Sequence, residues 1–252
     1  MFKLSQTQKD ILKLLPQKAA KLVPFTELIK MGSKVATTAI GGESYKQDLT
    51  QLSESDLPEG VVVVPSEEGL NPSMPLLALH GEKVLEIYFA QLFRQDASVH
   101  LDLRANHFSA QGETLLWRPS TLRYKFSAAF LNSIRELYQG FYDDKPDVFD
   151  KGLEGLGMIR SSMSPEERQE IRQLLFSHFG EGRTSPVIFS VSKFQKSFDE
   201  IFSYFLKNEV PLHPEFALLG ANLATLYANL QNIKAPLDVR GAFMKADSVL
   251  AR

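Results

Sequence analysis

Apolar positions in this chain recur mostly at helical spacing. Ser5 to Gln8 has capping-box spacing, and Ile11, Leu12, Leu14 and Leu15 follow before Pro16, which predicts a short first helix. A second helix is predicted over 18–38, with Pro24 as a kink or restart. A third is predicted over 43–53, where Tyr45, Leu49 and Leu52 fall at i, i+4 and i+7. The pattern then changes. Leu57-Pro58-Glu59-Gly60 reads as a turn, and Val61 to Val64 as a buried strand stopped by Pro65. Between 82 and 94 the helical period returns through Val84, Leu85, Tyr88, Phe89, Leu92 and Phe93.

Residues 98–119 interrupt the helices. A polar loop carrying His100, Asp102, Arg104, Asn106 and His107 runs into a predicted hairpin turned at Gln111-Gly112-Glu113. From Thr121 onward only helices are predicted, over 120–142, 146–156, 164–179, 190–208, 213–232 and 238–251. Ser164-Pro165-Glu166-Glu167 combines an N-cap, a proline at N1 and a glutamate at N3. Gly152, Gly155 and Gly157 read as a helix C-terminus and turn. Phe194, Phe198, Phe202 and Phe205 share one helix face, which suits either core or a groove for an isoprenoid or acyl chain. The fold class is mainly α with one short β-hairpin.

Composition narrows the function. The 252 residues are 44% hydrophobic and 23% charged, ordinary for a globular protein, and the net charge of −2 gives no electrostatic case for nucleic acid. The chain has no cysteine, so thiol catalysis and disulfides are excluded. No window approaches the roughly 18 uninterrupted apolar residues of a spanning helix, and Met1 to Asp10 hold no signal-peptide run. The expectation is a soluble, cytoplasmic protein, with peripheral membrane contact left open.

The chemistry-bearing residues concentrate in the 98–119 loop. Asp102 suits a catalytic base, or a loop-ordering carboxylate that accepts backbone N–H bonds. His100 and His107 suit ligands, or structural histidines bonded to backbone. Arg104 suits anion binding, or a plain ion pair with Asp102. Gly-x-Ser-x-Gly, His-Glu-x-x-His and Gly-x-Gly-x-x-Gly motifs are all missing from the sequence.

Two segments, in order, resemble the AarF/UbiB family of atypical kinase-like proteins. Phe25-Thr-Glu-Leu-Ile-Lys30-Met-Gly32-Ser33 is similar to that family's Lys-x-Gly-Gln helix, and Tyr45, Leu49 and Leu52 follow at the family's spacing. Ile87 to Asp102 is similar to the helix that leads into His-Ala-Asp-Pro-His-Pro-Gly-Asn. Pro214-Glu-Phe-Ala-Leu-Leu and Leu226-Tyr-Ala-Asn-Leu are similar to its C-terminal helices. The resemblance implies a kinase C-lobe-like helical domain over 58–252, preceded by a helical segment over 1–57 that bears the Lys-x-Gly-Gln-like helix. It also implies a lid-like role for that helix and a link to ubiquinone and lipid metabolism.

The departures carry as much information. Ser33 replaces the motif's glutamine, His107 falls where the magnesium-holding asparagine would stand, and Trp117 falls at the carboxylate of Asp-Phe-Gly. Most of a kinase N-lobe is missing between Leu52 and Ser98. Magnesium prefers carboxylate and amide oxygens, so this site offers it one good ligand, Asp102. The expectation is therefore a catalytically inactive, pseudokinase-like relative that binds a protein partner, such as an intact paralogue, or a lipid. Lys30, His100, Asp102 and His107 are its candidate binding residues, with Asp102 the vestigial catalytic one. No metal or cofactor is expected. Two alternatives stay open: an atypical ATPase or kinase using ATP and Mg around Asp102, and a small-molecule or isoprenoid carrier using the Phe194–Phe205 face.

Overall fold

In the computed structural model, residues 31–35, 42–53, 57–65, 70, 75–94, 98–210 and 212–250 are described. The predicted first helix and Lys30 lie outside them. The fold is mainly α, as the apolar spacing predicts, with two small sheets. Residues 31–35 are helical. Then come α1 (Gly42–Ser53), β1 (Val61–Val63), α2 (Ala78–Phe93), β2 (Val99–His100), a 3-10 turn (Ala105–His107), β3 (Phe108–Gln111), β4 (Thr114–Trp117) and β5 (Arg123–Tyr124). The helical half holds α3 (Ala128–Tyr142), α4 (Pro146–Gly155), α5 (Pro165–Phe179), a 3-10 turn (Gly180–Arg183), α6 (Val191–Lys207), α7 (Phe216–Leu230) and α8 (Val239–Leu250).

The hairpin forms where predicted. β3 and β4 pair antiparallel from Phe108↔Trp117 to Gln111↔Thr114. Gly112 supplies the positive φ of 60° that the tight turn needs. β1 adds to the hairpin in parallel, Val61↔Leu115 through Val63↔Trp117.

The stretch after Thr121 departs from the expectation of helices only. Arg123 and Tyr124 pair with His100 and Val99 as β5, and α3 starts at Ala128, where Ser127 accepts the N–H of Phe130. A two-residue strand has no periodicity of its own, and long-range pairing decides it. α2 likewise begins four residues before the apolar period does. His80 holds that helix start: its Nδ1 accepts from Leu77 N–H at 3.1 Å, and its Nε2 lies 2.9 Å from Gly112 O at the hairpin turn.

Helix packing makes one continuous core. Met31, Val35 and Leu52 belong to the same apolar cluster as Leu85, Trp117 and Phe243. α3 and α4 approach closely because glycine stands at the crossing. A Cβ on Gly152 would lie 2.5 Å from Leu137 N, and one on Gly140 would overlap the Phe149 backbone. Phe194, Phe198, Phe202 and Phe205 are all buried; Phe194 packs on Tyr227, and Phe198 on Phe202 and Phe216. Their face is filled by the chain's own side chains. Among the described residues no helix is long and apolar enough to cross a membrane.

Candidate functional site

The loop after β2 is extended and would leave its backbone polar groups bare in the interior. Three polar side chains on one face of α7 satisfy them. Asn222 Nδ2 donates to His100 O at 3.2 Å and Leu101 O at 3.1 Å. Thr225 Oγ1 accepts from Leu103 N–H at 3.0 Å and lies 2.9 Å from Leu101 O, while Asn229 Nδ2 donates to Leu103 O at 2.9 Å. From the other side, Gln91 Oε1 on α2 accepts the N–H of His100 at 2.8 Å. Four side chains thus fix the loop's path from 100 to 103.

Asp102 sits at the centre of that loop with its side chain fully buried. Its Oδ1 accepts from Arg104 N–H at 3.2 Å and Arg104 Nε at 2.9 Å, and its Oδ2 accepts from Arg104 Nη2 at 2.6 Å. The 3-10 turn brings His107 back, with Nε2 3.2 Å from Asp102 Oδ2 and Nδ1 3.1 Å from Arg118 O. Both ring nitrogens of His107 thus face oxygen atoms. Burial pushes the Asp102 carboxyl up, but the bonds and charges of Arg104 and His107 outweigh it and hold the group well below the usual carboxylate range.

His100 is buried beside this pair without joining it. Its Nδ1 lies 2.6 Å from Ser120 O, which makes that nitrogen the protonated one. Burial lowers its pKa to about 4, so the ring is neutral at ordinary pH. Trp117 stands edge-on to it at 5.8 Å and stacks on Phe108 at 6.5 Å. The Trp117 indole has no exposed surface.

α1 closes over the same region. Tyr45 donates to Pro119 O at 2.6 Å and meets His100 edge-on at 6.4 Å. Asp48 Oδ2 lies 2.5 Å from Nε of Arg123, a buried guanidinium that also sits 5.5 Å from the Tyr45 ring.

The structure places His107 and Arg104 on Asp102, with His100 buried beside them on partners of its own, and Lys30 lies outside the described residues. The sequence reading missed Asn222, Thr225, Asn229, Gln91, Asp48 and Arg123. Of these, the α7 residues left a signal: polar side chains at i, i+3 and i+7 in an otherwise apolar helix. Chemically, the arrangement orders a loop. A general base needs an oxygen within reach of an incoming hydroxyl, and both Asp102 oxygens are buried and hold donors. Magnesium fits no better, since those oxygens are engaged and an imidazole is a poor ligand for it. Among the described residues no three His, Asp or Glu side chains gather at metal-holding positions.

A cleft of about 610 Å³ opens elsewhere, between the Leu57–Gly60 turn, α2, the hairpin and α8. Charges of both signs line it, including Glu82, Lys83, Glu86, Arg94 and Lys245. Lys83 donates to Glu113 O at 2.6 Å, and Lys245 pairs with the buried Glu86 at 2.8 Å. No family model matches the chain, and none of the curated proteins matches it either.

Proposed function

We propose that this chain is a catalytically silent, kinase-like scaffold of AarF/UbiB type that works by binding a protein partner. The observation that carries the reading is the Asp102 carboxylate, fully buried with both oxygens held by Arg104 and His107. A loop of catalytic shape is kept while its one acid is spent on structure. The order of elements supports the kinship. A helix leads into a short strand, a His-x-Asp loop and a hairpin, and the strand that follows pairs back to the first before a helical half begins.

The 610 Å³ cleft supports a protein partner over a lipid. Its lining of mixed acidic and basic side chains complements another protein's surface, whereas an acyl or isoprenoid chain needs an apolar groove. An intact paralogue is the partner that the resemblance points to.

Isothermal titration with MgATP tests the silent reading. No binding is expected up to millimolar nucleotide, and micromolar affinity would overturn it. The partner reading is tested by co-purification with an intact family member, which the charge reversals Lys83→Glu and Lys245→Glu are expected to weaken at least tenfold. Unchanged co-purification would remove the cleft from the account.

A further inference from the structure

Four tyrosines from three helices meet in the interior, away from the 98–119 loop. Tyr88 of α2, Tyr138 and Tyr142 of α3 and Tyr227 of α7 line a cavity of about 50 Å³, with His178 of α5 and Gly182 in its wall. The cavity is closed on one side by the segment after α5, which is clasped to the chain before α8 where Val187 and Leu237 exchange backbone bonds of 2.9 and 3.0 Å.

The hydroxyls converge on this space. Tyr88 and Tyr138 share one hydrogen bond at 2.7 Å, which uses one of their two protons. Among the described residues the hydroxyls of Tyr142 and Tyr227 have no hydrogen-bond partner, although Tyr142 is only 4% exposed. Tyr88, Tyr138 and Tyr142 each feel the Tyr227 hydroxyl electrostatically, which places all four close together. Three O–H groups therefore face one small, partly open pocket, with Tyr227 half-buried at its edge. Buried hydroxyls in native proteins are satisfied, by protein or by a bound molecule. The volume is enough for roughly three waters.

The chemistry of the wall selects the guest. Burial pushes all four phenols up, Tyr227 to about 12, so they stay protonated and act as donors. Burial lowers His178 to about 4, leaving it neutral. No charged side chain lines the space, and the Asp238 carboxylate, close enough to raise Tyr142 further, disfavours an anion. An ion entering here would lose its hydration and meet no counter-ion.

We propose that the tyrosine chamber is a binding site for a small uncharged oxygen acceptor: ordered water, or the carbonyl or hydroxyl group of a compact neutral molecule. Crystals of the full chain, collected native, soaked in acetone and pressurised with xenon, test it. The expected result is ordered density within hydrogen-bond reach of the Tyr142 and Tyr227 hydroxyls. Water that persists through the acetone soak identifies water as the guest, and acetone in its place identifies an organic carbonyl. A chamber that is dry, or that takes xenon in preference to either, would overturn the proposal, because apolar cavities behave that way. Tyr142→Phe is expected to lower the guest's occupancy at least twofold, and Tyr227→Phe serves where Tyr142→Phe does not fold. Unchanged occupancy in both variants also overturns it.

Discussion

Arg104 grips Asp102 from two residues away, with Nε 2.9 Å from one carboxylate oxygen and Nη2 2.6 Å from the other. His107 closes the remaining side at 3.2 Å. The carboxylate is thereby the keystone of the loop, and its removal leaves two donors facing each other in the interior. Asp102→Asn is expected to destabilise the fold by about 3 kcal/mol, the usual cost of breaking a buried ion pair from one side. Urea unfolding followed by circular dichroism measures this. A variant as stable as the parent would show that the triad is dispensable and reopen a catalytic role for the acid.

Acid sensitivity follows from the same neighbourhood. Burial lowers His100 to about 4, below the unfolded value near 6.5. Between those values the unfolded chain binds a proton that the folded chain does not, so stability falls as pH falls from 6.5 to 4. Asp102 is depressed in the folded state, so the stability it contributes is present above about pH 4 and is lost below it. The protein should therefore lose stability in two stages on acidification. His100→Asn keeps a donor for Ser120 O and cannot titrate, and it should remove up to about 3 kcal/mol of the upper stage. Unfolding free energies at half-unit pH steps check this, and an unchanged slope in the variant would refute it.

α1 is held to the loop by two polar contacts of unequal weight. Tyr45→Phe deletes one hydrogen bond to Pro119 O and should cost about 1 kcal/mol. Asp48→Asn takes the carboxylate from a fully buried guanidinium and should cost about 3 kcal/mol. Hydrogen exchange over residues 42–53 should quicken far more in the second variant than in the first. Equal protection in both would mean that the apolar contacts of Leu49 and Leu52 hold the helix by themselves.

Local chemistry was legible in the sequence, and long-range partnership was not. The hairpin was readable because Gly112 and the flanking alternation act over a few residues. The Arg104–Asp102 pair was readable because its members are two positions apart. β5 was not, since Arg123 and Tyr124 form a strand only by pairing with His100 and Val99. The polar face of α7 was visible, but its acceptors lie more than a hundred residues earlier, at His100, Leu101 and Leu103. His107 reads as a misplaced metal ligand until the 3-10 turn folds it back onto Asp102. Burial accounts for much of the gap, because no local pattern distinguishes a working carboxylate from a sealed one.

Trp117 offers the sharpest test of whether the site is sealed or merely unfinished. If the loop needed only a second carboxylate to hold magnesium, Trp117→Asp would supply it and create magnesium-dependent nucleotide binding. The structure argues for the opposite outcome. Trp117 has no exposed surface, stacks on Phe108 and stands edge-on to His100. Aspartate there would leave a cavity and place an unpaired charge beside a neutral imidazole. The loss of the indole alone is worth about 3–5 kcal/mol, and the buried charge adds to it. Trp117→Asp is thus expected to unfold or to melt far below the parent, while Trp117→Phe, which keeps an apolar ring, should stay folded. Thermal unfolding of both variants with and without MgATP decides the matter. A folded Trp117→Asp protein that MgATP stabilises would mean that the pocket tolerates a carboxylate and that one substitution suffices for nucleotide binding.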